Sequence, residues 1–229
     1  MYNNIHKLYM ESVQIVDSGL KQYIEENVIP EYKEAEPHRI HHIRSGMEYA
    51  IKYAEMLDLD INIAYTMVAY HDVGLRTGER KGHAKRSKEY VLNDKGLRQF
   101  FTEKEINIIA NAVGRHSSSE GDKVTKDDYT KYDLLMQDVD EADKVKFEDI
   151  VLLTYRNTRH VHPTIDKEEL EDKMVYWIDY RIDEGYIFDY NFDIIQKDKQ
   201  EDIERTKRIT KDKERVREEI RKVIQEQEG

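Results

Sequence analysis

The stretch INIAYTMVAYHDVGL, Ile61 to Leu75, decides how the chain is read. Ala64, Met67, Val68 and His71 recur at three- and four-residue steps, the spacing that puts side chains on one face of an α-helix. Gly74 is placed to end that helix. An imidazole on the apolar side, followed at once by the carboxylate of Asp72, is costly to bury unless a metal ion or a closed hydrogen-bond network satisfies both. A lone pair of this kind is more often a satisfied core histidine, so its meaning depends on what the rest of the chain places at comparable positions.

Working outward, helix is the expectation nearly everywhere, because only three prolines and ten glycines interrupt the 229 residues and no alternating apolar run suggests a strand. Met1 to Val28 reads as a helix stopped by Pro30, and His38 to Leu57 as a second, with Ile43, Met47, Ala50, Ala54 and Leu57 on one side. Thr102 followed by Glu105 has the form of a capping box, opening a helix through Ile106, Ile109, Val113 and His116. Another helix is expected over Tyr129–Val145. Asp166 and Glu169 mark a further start, with Gly185 closing that helix. From Ile194 to Gln227, sparse aliphatics among charges of alternating sign predict a charged C-terminal helix that lies on the domain or pairs with a partner helix.

Composition excludes several classes of function. No cysteine is present, so disulfides and thiolate zinc sites are ruled out and any metal must be held by nitrogen and oxygen. A formal net charge of -11 opposes general binding to nucleic acid or anionic membrane. Neither a membrane span nor an apolar signal core is evident, and the expected location is the cytoplasm. With 38% hydrophobic residues the chain can build its own core. A metal is therefore expected to serve chemistry rather than folding.

Other histidines repeat the anomaly of His71. His116 falls on the Ile106–Ile109–Val113 stripe, and His42 flanks the apolar face of its helix, one turn after His38. Asp140 adds a carboxylate beside Met136 and Val139, within the acidic string Asp138, Asp140, Glu141, Asp143. His41 and His42 are adjacent, so they point about 100° apart and only one can readily join a cluster. His6, His160 and His162 read as surface or interface residues.

In order and context these segments resemble the HD superfamily of metal-dependent phosphohydrolases. "HHIRSGMEYA" is similar to the family's first histidine helix and puts His42 in the ligand place, "AYHDVGL" supplies His71 and Asp72, and Asp140 of "QDVDEADKV" fits the distal aspartate. The resemblance covers roughly Pro37 to Val145. His83 in "KGHAKRSKEYV" and His116 in "GRHSSS" look like the extra ligands of two-metal members. It implies an HD helical bundle at about 37–145, and with the helical periodicity of the flanks the expectation is one all-α domain, 1–229, with an N-terminal helix over 1–30 and a helical extension over 160–229. The implied metal ligands are His42, His71, Asp72, His83, His116 and Asp140, with Asp72 able to bridge two ions.

Imidazole and carboxylate suit Mn, Fe, Co, Ni, Zn or Mg, and one ion or two. The implied activity is hydrolysis of a nucleotide or other small phosphate ester through metal-activated water. Arg76, Arg80, Lys81, Lys85, Arg86 and Lys88 stand against one acid, Glu79, just after the His-Asp pair. Arg76 and Arg80 are thus candidates, with Asp72, for the catalytic machinery, meeting substrate phosphate. Other readings left open are a phosphodiesterase of the same superfamily, a di-iron oxygenase, and a metal-binding helical regulator without catalysis. The expected partner is a small phosphorylated substrate, with no nucleic acid and no membrane, and a second copy of the chain could pair through the C-terminal helix.

Overall fold

The structure, a computed structural model, describes residues 15–32, 37–117, 126–183 and 189–229, apart from the side chains of residues 37–39 and 126. Among the described residues the fold is all-α, with ten α-helices, short 3-10 turns and no strand. The backbone groups into two compact units, the first running through Val139 and the second from Asp140.

The first unit contains α1 (Ser18–Asn27), α2 (Pro37–Met56), α3 (Ile61–Tyr70), α4 (His83–Asn93), α5 (Glu103–Arg115) and most of α6 (Lys131–Ala142). α3 is its centre. Every residue of α3 except Asn62 is buried, as expected for a helix apolar on all sides, and it packs against α2 and α5. Asp60 starts it, its carboxylate accepting the backbone N–H groups of Asn62 at 2.8 Å and Ile63 at 3.3 Å. Tyr32, at the end of the 3-10 turn Ile29–Tyr32, donates from its buried hydroxyl to the Ala69 carbonyl at 2.9 Å. The capping box before α5 is formed in both directions, Thr102 N–H donating to Glu105 Oε2 at 2.8 Å and Glu105 N–H to Thr102 Oγ1 at 3.4 Å.

Two boundaries differ from the sequence reading for physical reasons. Ile15–Asp17 are not helical, and Asp17 caps α1 by accepting Leu20 N–H at 2.8 Å, so the helix expected from Met1 starts anew at Ser18; residues 1–14, His6 among them, lie outside the description. α3 ends at Tyr70, with His71 at its C-cap and a 3-10 turn over Val73–Thr77. Gly74 is therefore not the helix terminator. It is the point where that turn meets α4: its N–H donates to Ser87 Oγ at 2.8 Å, its carbonyl accepts Arg86 Nε at 3.0 Å, and a Cβ there would sit 2.3 Å from the His83 carbonyl oxygen. Only a residue without a side chain allows this approach.

The second unit holds α7 (Phe147–Val161), α8 (Lys167–Asp183), α9 (Asp193–Ile209) and α10 (Lys213–Glu228). Sequence pattern alone does not assign α7, and the charged tail is two helices, separated where the Asp212 carboxylate accepts Arg215 N–H and opens α10. α10 packs on both α7 and α8. Sparse aliphatics suffice for this because they share one face: Val216, Ile220, Val223 and Ile224 of α10 are buried with Leu170, Met174 and Ile178 of α8. The tail is thus part of a core of its own, with Lys199 of α9 buried in it and other charges outside, as in the pairs of Arg217 and Arg221 with Glu171. The Asp166 cap of α8 is present, accepting Glu169 N–H at 2.9 Å, while Gly185 lies outside the described residues.

The packing at Gly74 gives a direct expectation. Gly74→Ala should destabilise the first unit by about 1–3 kcal/mol, the usual cost of forcing a methyl into a filled core, whereas Gly82→Ala, strained only by its positive φ of 73°, should cost about 1 kcal/mol. Chemical denaturation of both variants measures the difference, and equal stabilities would show that the turn and α4 separate readily.

Candidate metal centre

The end of α3, the start of α4 and the end of α5 converge, and each brings one imidazole. His71 is the C-cap of α3, His83 the first residue of α4, and His116 the C-cap of α5. His42 comes from α2. Its ring lies 5.3 Å from that of His71, edge to face, and the His71–His116 and His83–His116 ring centroids are 5.1 and 5.0 Å apart. His41, its neighbour on α2, is exposed. The helix turn thus separates the tandem histidines as their 100° offset requires.

Three rings are oriented by the same device. Nδ1 of His71 faces the Val68 carbonyl at 2.8 Å, Nδ1 of His83 the Arg80 carbonyl at 2.8 Å, and Nδ1 of His116 the Val113 carbonyl at 2.6 Å. A carbonyl only accepts, so each Nδ1 carries the proton, and in the neutral ring each Nε2 presents a lone pair. Those lone pairs meet. Nε2 of His83 and of His116 are 3.0 Å apart, and Asp72 Oδ1 lies 3.3 Å from the first and 3.7 Å from the second. Asp72 Oδ2 is 3.7 Å from His71 Nε2.

A cluster of acceptors aimed at one another is unstable without positive charge between them, supplied by protons or by a metal ion. Asp72 shows the same demand. Burial works against its ionisation, but the charge on His71 and hydrogen bonds from His116 and His83 outweigh burial and hold its carboxyl well below the usual carboxylate range. Two groups of three ligand atoms, each within 4.8 Å of one another, have the spacing to hold a cation: His42, His71 and Asp72, and Asp72, His83 and His116. Asp72 belongs to both.

These are five of the six ligands expected from sequence. The sixth, Asp140, opens the second unit, where its Oδ1 lies 3.2 Å from Lys144 Nζ. Burial works to lower the Lys144 pKa, and the charges of Asp140, Glu141 and Asp143 raise it above its ordinary value. His160 and His162 are exposed, as expected, and the His38 side chain lies outside the description.

The cationic stretch after the pair divides into distinct roles. Arg86 is bound to backbone, donating to the carbonyls of Gly74, Lys81 and Glu79. Arg76 Nη1 pairs with Glu31 Oε2 at 2.5 Å, and its guanidinium lies 4.9 Å from the Tyr90 ring centroid. It lines a cleft of about 880 Å³ with Tyr23, Glu31, Tyr90 and Asp94, among others, and none of the five clustered ligands lines that cleft. Arg80 is exposed in the turn before His83.

Sequence reasoning missed the carbonyls of Val68, Arg80 and Val113, because backbone groups leave no residue-type signal. It also passed over Gly82, whose left-handed conformation starts α4 at His83. The dipeptide Gly82-His83 was the available clue.

An all-helical domain in which a His-Asp pair gathers three further imidazoles defines a class of helical metal-site domains. The HD-domain family model matches residues 39–148, consistent with the HD superfamily of metal-dependent phosphohydrolases. No match was found among curated proteins or among solved structures.

Because Asp72 is shared, Asp72→Asn should abolish binding at both groups, while His83→Ala should remove one and leave the group of His42 and His71. Titration with Mn²⁺, followed calorimetrically, should give no sites for the first variant and one for the second. Saturating Mn²⁺ should also raise the unfolding free energy of the unaltered protein, by about 2.7 kcal/mol for each occupied site at a hundredfold excess over its Kd. Full metal binding by Asp72→Asn would remove the shared carboxylate from the centre.

Proposed function

We propose that the protein is a metal-dependent phosphohydrolase acting on a nucleotide or another small phosphate ester. The supporting observation is the convergence of imidazole Nε2 atoms on the shared carboxylate of Asp72, a donor set of nitrogen and oxygen suited to Mn, Fe, Co, Ni, Zn or Mg. Divalent ions in such a setting lower the pKa of bound water from about 15.7 to about 7 and polarise a phosphoryl oxygen.

The protein's own groups supply orientation and charge. The carbonyls behind His71, His83 and His116 hold their rings in one tautomer, so no reorganisation is needed when an ion binds. The two overlapping groups favour two ions over one. Asp140 is proposed as a further ligand from its place in the sequence pattern alone. Of the two arginines suggested for phosphate, Arg80 is the stronger candidate, because its own carbonyl faces His83 Nδ1 at 2.8 Å, whereas Arg76 lines a cleft that none of the clustered ligands lines.

No helix among the described residues is long and apolar enough to cross a membrane, and a cytoplasmic location is proposed with the small-molecule substrate.

Protein purified without chelator and loaded with Mn²⁺ should release phosphate from at least one member of a panel of nucleotides and small phosphate esters, and lose that activity with chelator. Arg80→Ala should lower kcat/KM tenfold or more with metal content intact. Arg76→Ala should change it less than threefold and instead cost up to about 1 kcal/mol of stability, since its ion pair is partly exposed and weakly stabilising. A metal-loaded protein that releases no phosphate from any ester would overturn the assignment, and oxygen uptake on loading with iron would replace it with the oxygenase reading.

A further inference from the structure

His116 stands at a helix end, where the last carbonyls lack helical partners and the chain tends to fray. Its Nε2 must nevertheless remain 3.0 Å from that of His83 and 3.7 Å from Asp72 Oδ1. A residue's worth of unwinding turns a side chain by about 100° and would take the ring out of the cluster.

The residue before it, Arg115, is anchored by both backbone and side chain. Its carbonyl accepts Gln137 Nε2 from α6 at 3.1 Å. Its Nη1 donates to Asp133 Oδ2 at 3.2 Å and to the Asp128 carbonyl at 3.3 Å, and its guanidinium lies over the Tyr129 ring at 5.7 Å. Asp133 is itself immobilised. Its side chain is fully buried, and the same Oδ2 accepts the Thr130 N–H at 2.6 Å and the Thr130 hydroxyl at 2.8 Å. A buried carboxylate and guanidinium are weak contributors to net stability, because desolvation offsets their attraction. Their pairing fixes direction instead, and the direction it fixes is that of the helix end carrying His116.

We propose that Asp133, Arg115 and Gln137 are positioning residues that hold His116 in register with His83 and Asp72, and so set the affinity of that group for its cation. This rests on the reading that Asp72, His83 and His116 take an ion. None of the three positioning residues touches it. Outer partners of this kind change metal affinity by about 10- to 100-fold when removed. The second group, His42 with His71 and Asp72, draws on α2 and the end of α3 and should not depend on the lock.

Two variants test this in the full chain, Asp133→Asn, which keeps the shape of the side chain and removes its charge, and Gln137→Ala, which removes only the tie to the Arg115 carbonyl. Calorimetric titration with Co²⁺, with the visible cobalt spectrum recorded alongside, should show two binding steps in the unaltered protein. In each variant one step should weaken 10- to 100-fold with a changed spectrum, and the other should keep its affinity. Circular dichroism melts of the metal-free proteins identify a variant that has not folded, and Gln137→Ala then carries the test. Two unchanged steps in a folded Gln137→Ala or Asp133→Asn would overturn the positioning role. Failure of the unaltered protein to bind Co²⁺ would instead overturn the metal reading beneath it.

Discussion

The carboxylate of Asp72 governs the first unit. Its two oxygens lie within 3.3 to 3.7 Å of three imidazole nitrogens, and those nitrogens come from three separate helix ends. Placing so many acceptors together has a physical consequence: the site must contain positive charge, and the helices must be held firmly enough to keep like groups facing one another. Much of the first unit can be understood as meeting the second requirement. α3 is buried on every side, Tyr32 anchors its end through Ala69, and Gly74 lets the turn after Asp72 press against α4.

Backbone carbonyls complete the design. Each of the three histidines turns Nδ1 to a carbonyl three residues earlier, so the orientation of the ring is a property of the helix end that carries it. At the C-terminal ends of α3 and α5 the last carbonyls lack full helical partners, while His83, at the start of α4, uses a carbonyl of the turn that leads into it. The same geometry explains why His83 and His116 can approach so closely: the direction of each ring is set locally, and the tertiary fold has only to bring two helix ends together.

Charge is distributed on a different principle outside the cluster. Arg86 is wholly engaged with carbonyls, and Arg76 with an acid and an aromatic ring. A run of cations that looks uniform in sequence therefore contains structural clasps at Arg76 and Arg86. In the second unit the dense charges of α8 and α10 lie outside a narrow aliphatic seam, which is why a tail of such polarity packs as helices against α7 and α8 rather than standing alone.

Helical class, the caps at Thr102 and Asp166, and the anomalous placement of His42, His71 and His116 were legible in the sequence, because periodicity, capping chemistry and misplaced imidazoles are local signals, whereas His83 entered only through the resemblance to the family. Helical geometry lets only one of His41 and His42 join the cluster, and the choice of His42 came from the resemblance of its helix to the family's first histidine helix. Other features required the folded chain: the end of α3 at Tyr70, the role of Gly74, the existence of α7, the splitting of the tail into two helices, and the engagement of Arg76 by Glu31. Each depends on a neighbour far along the chain, such as the His83 carbonyl behind Gly74 or the Glu31 carboxylate beside Arg76. Residue types along a segment report which face is apolar; they do not report which distant atom that face will meet, and that is what tertiary packing decided.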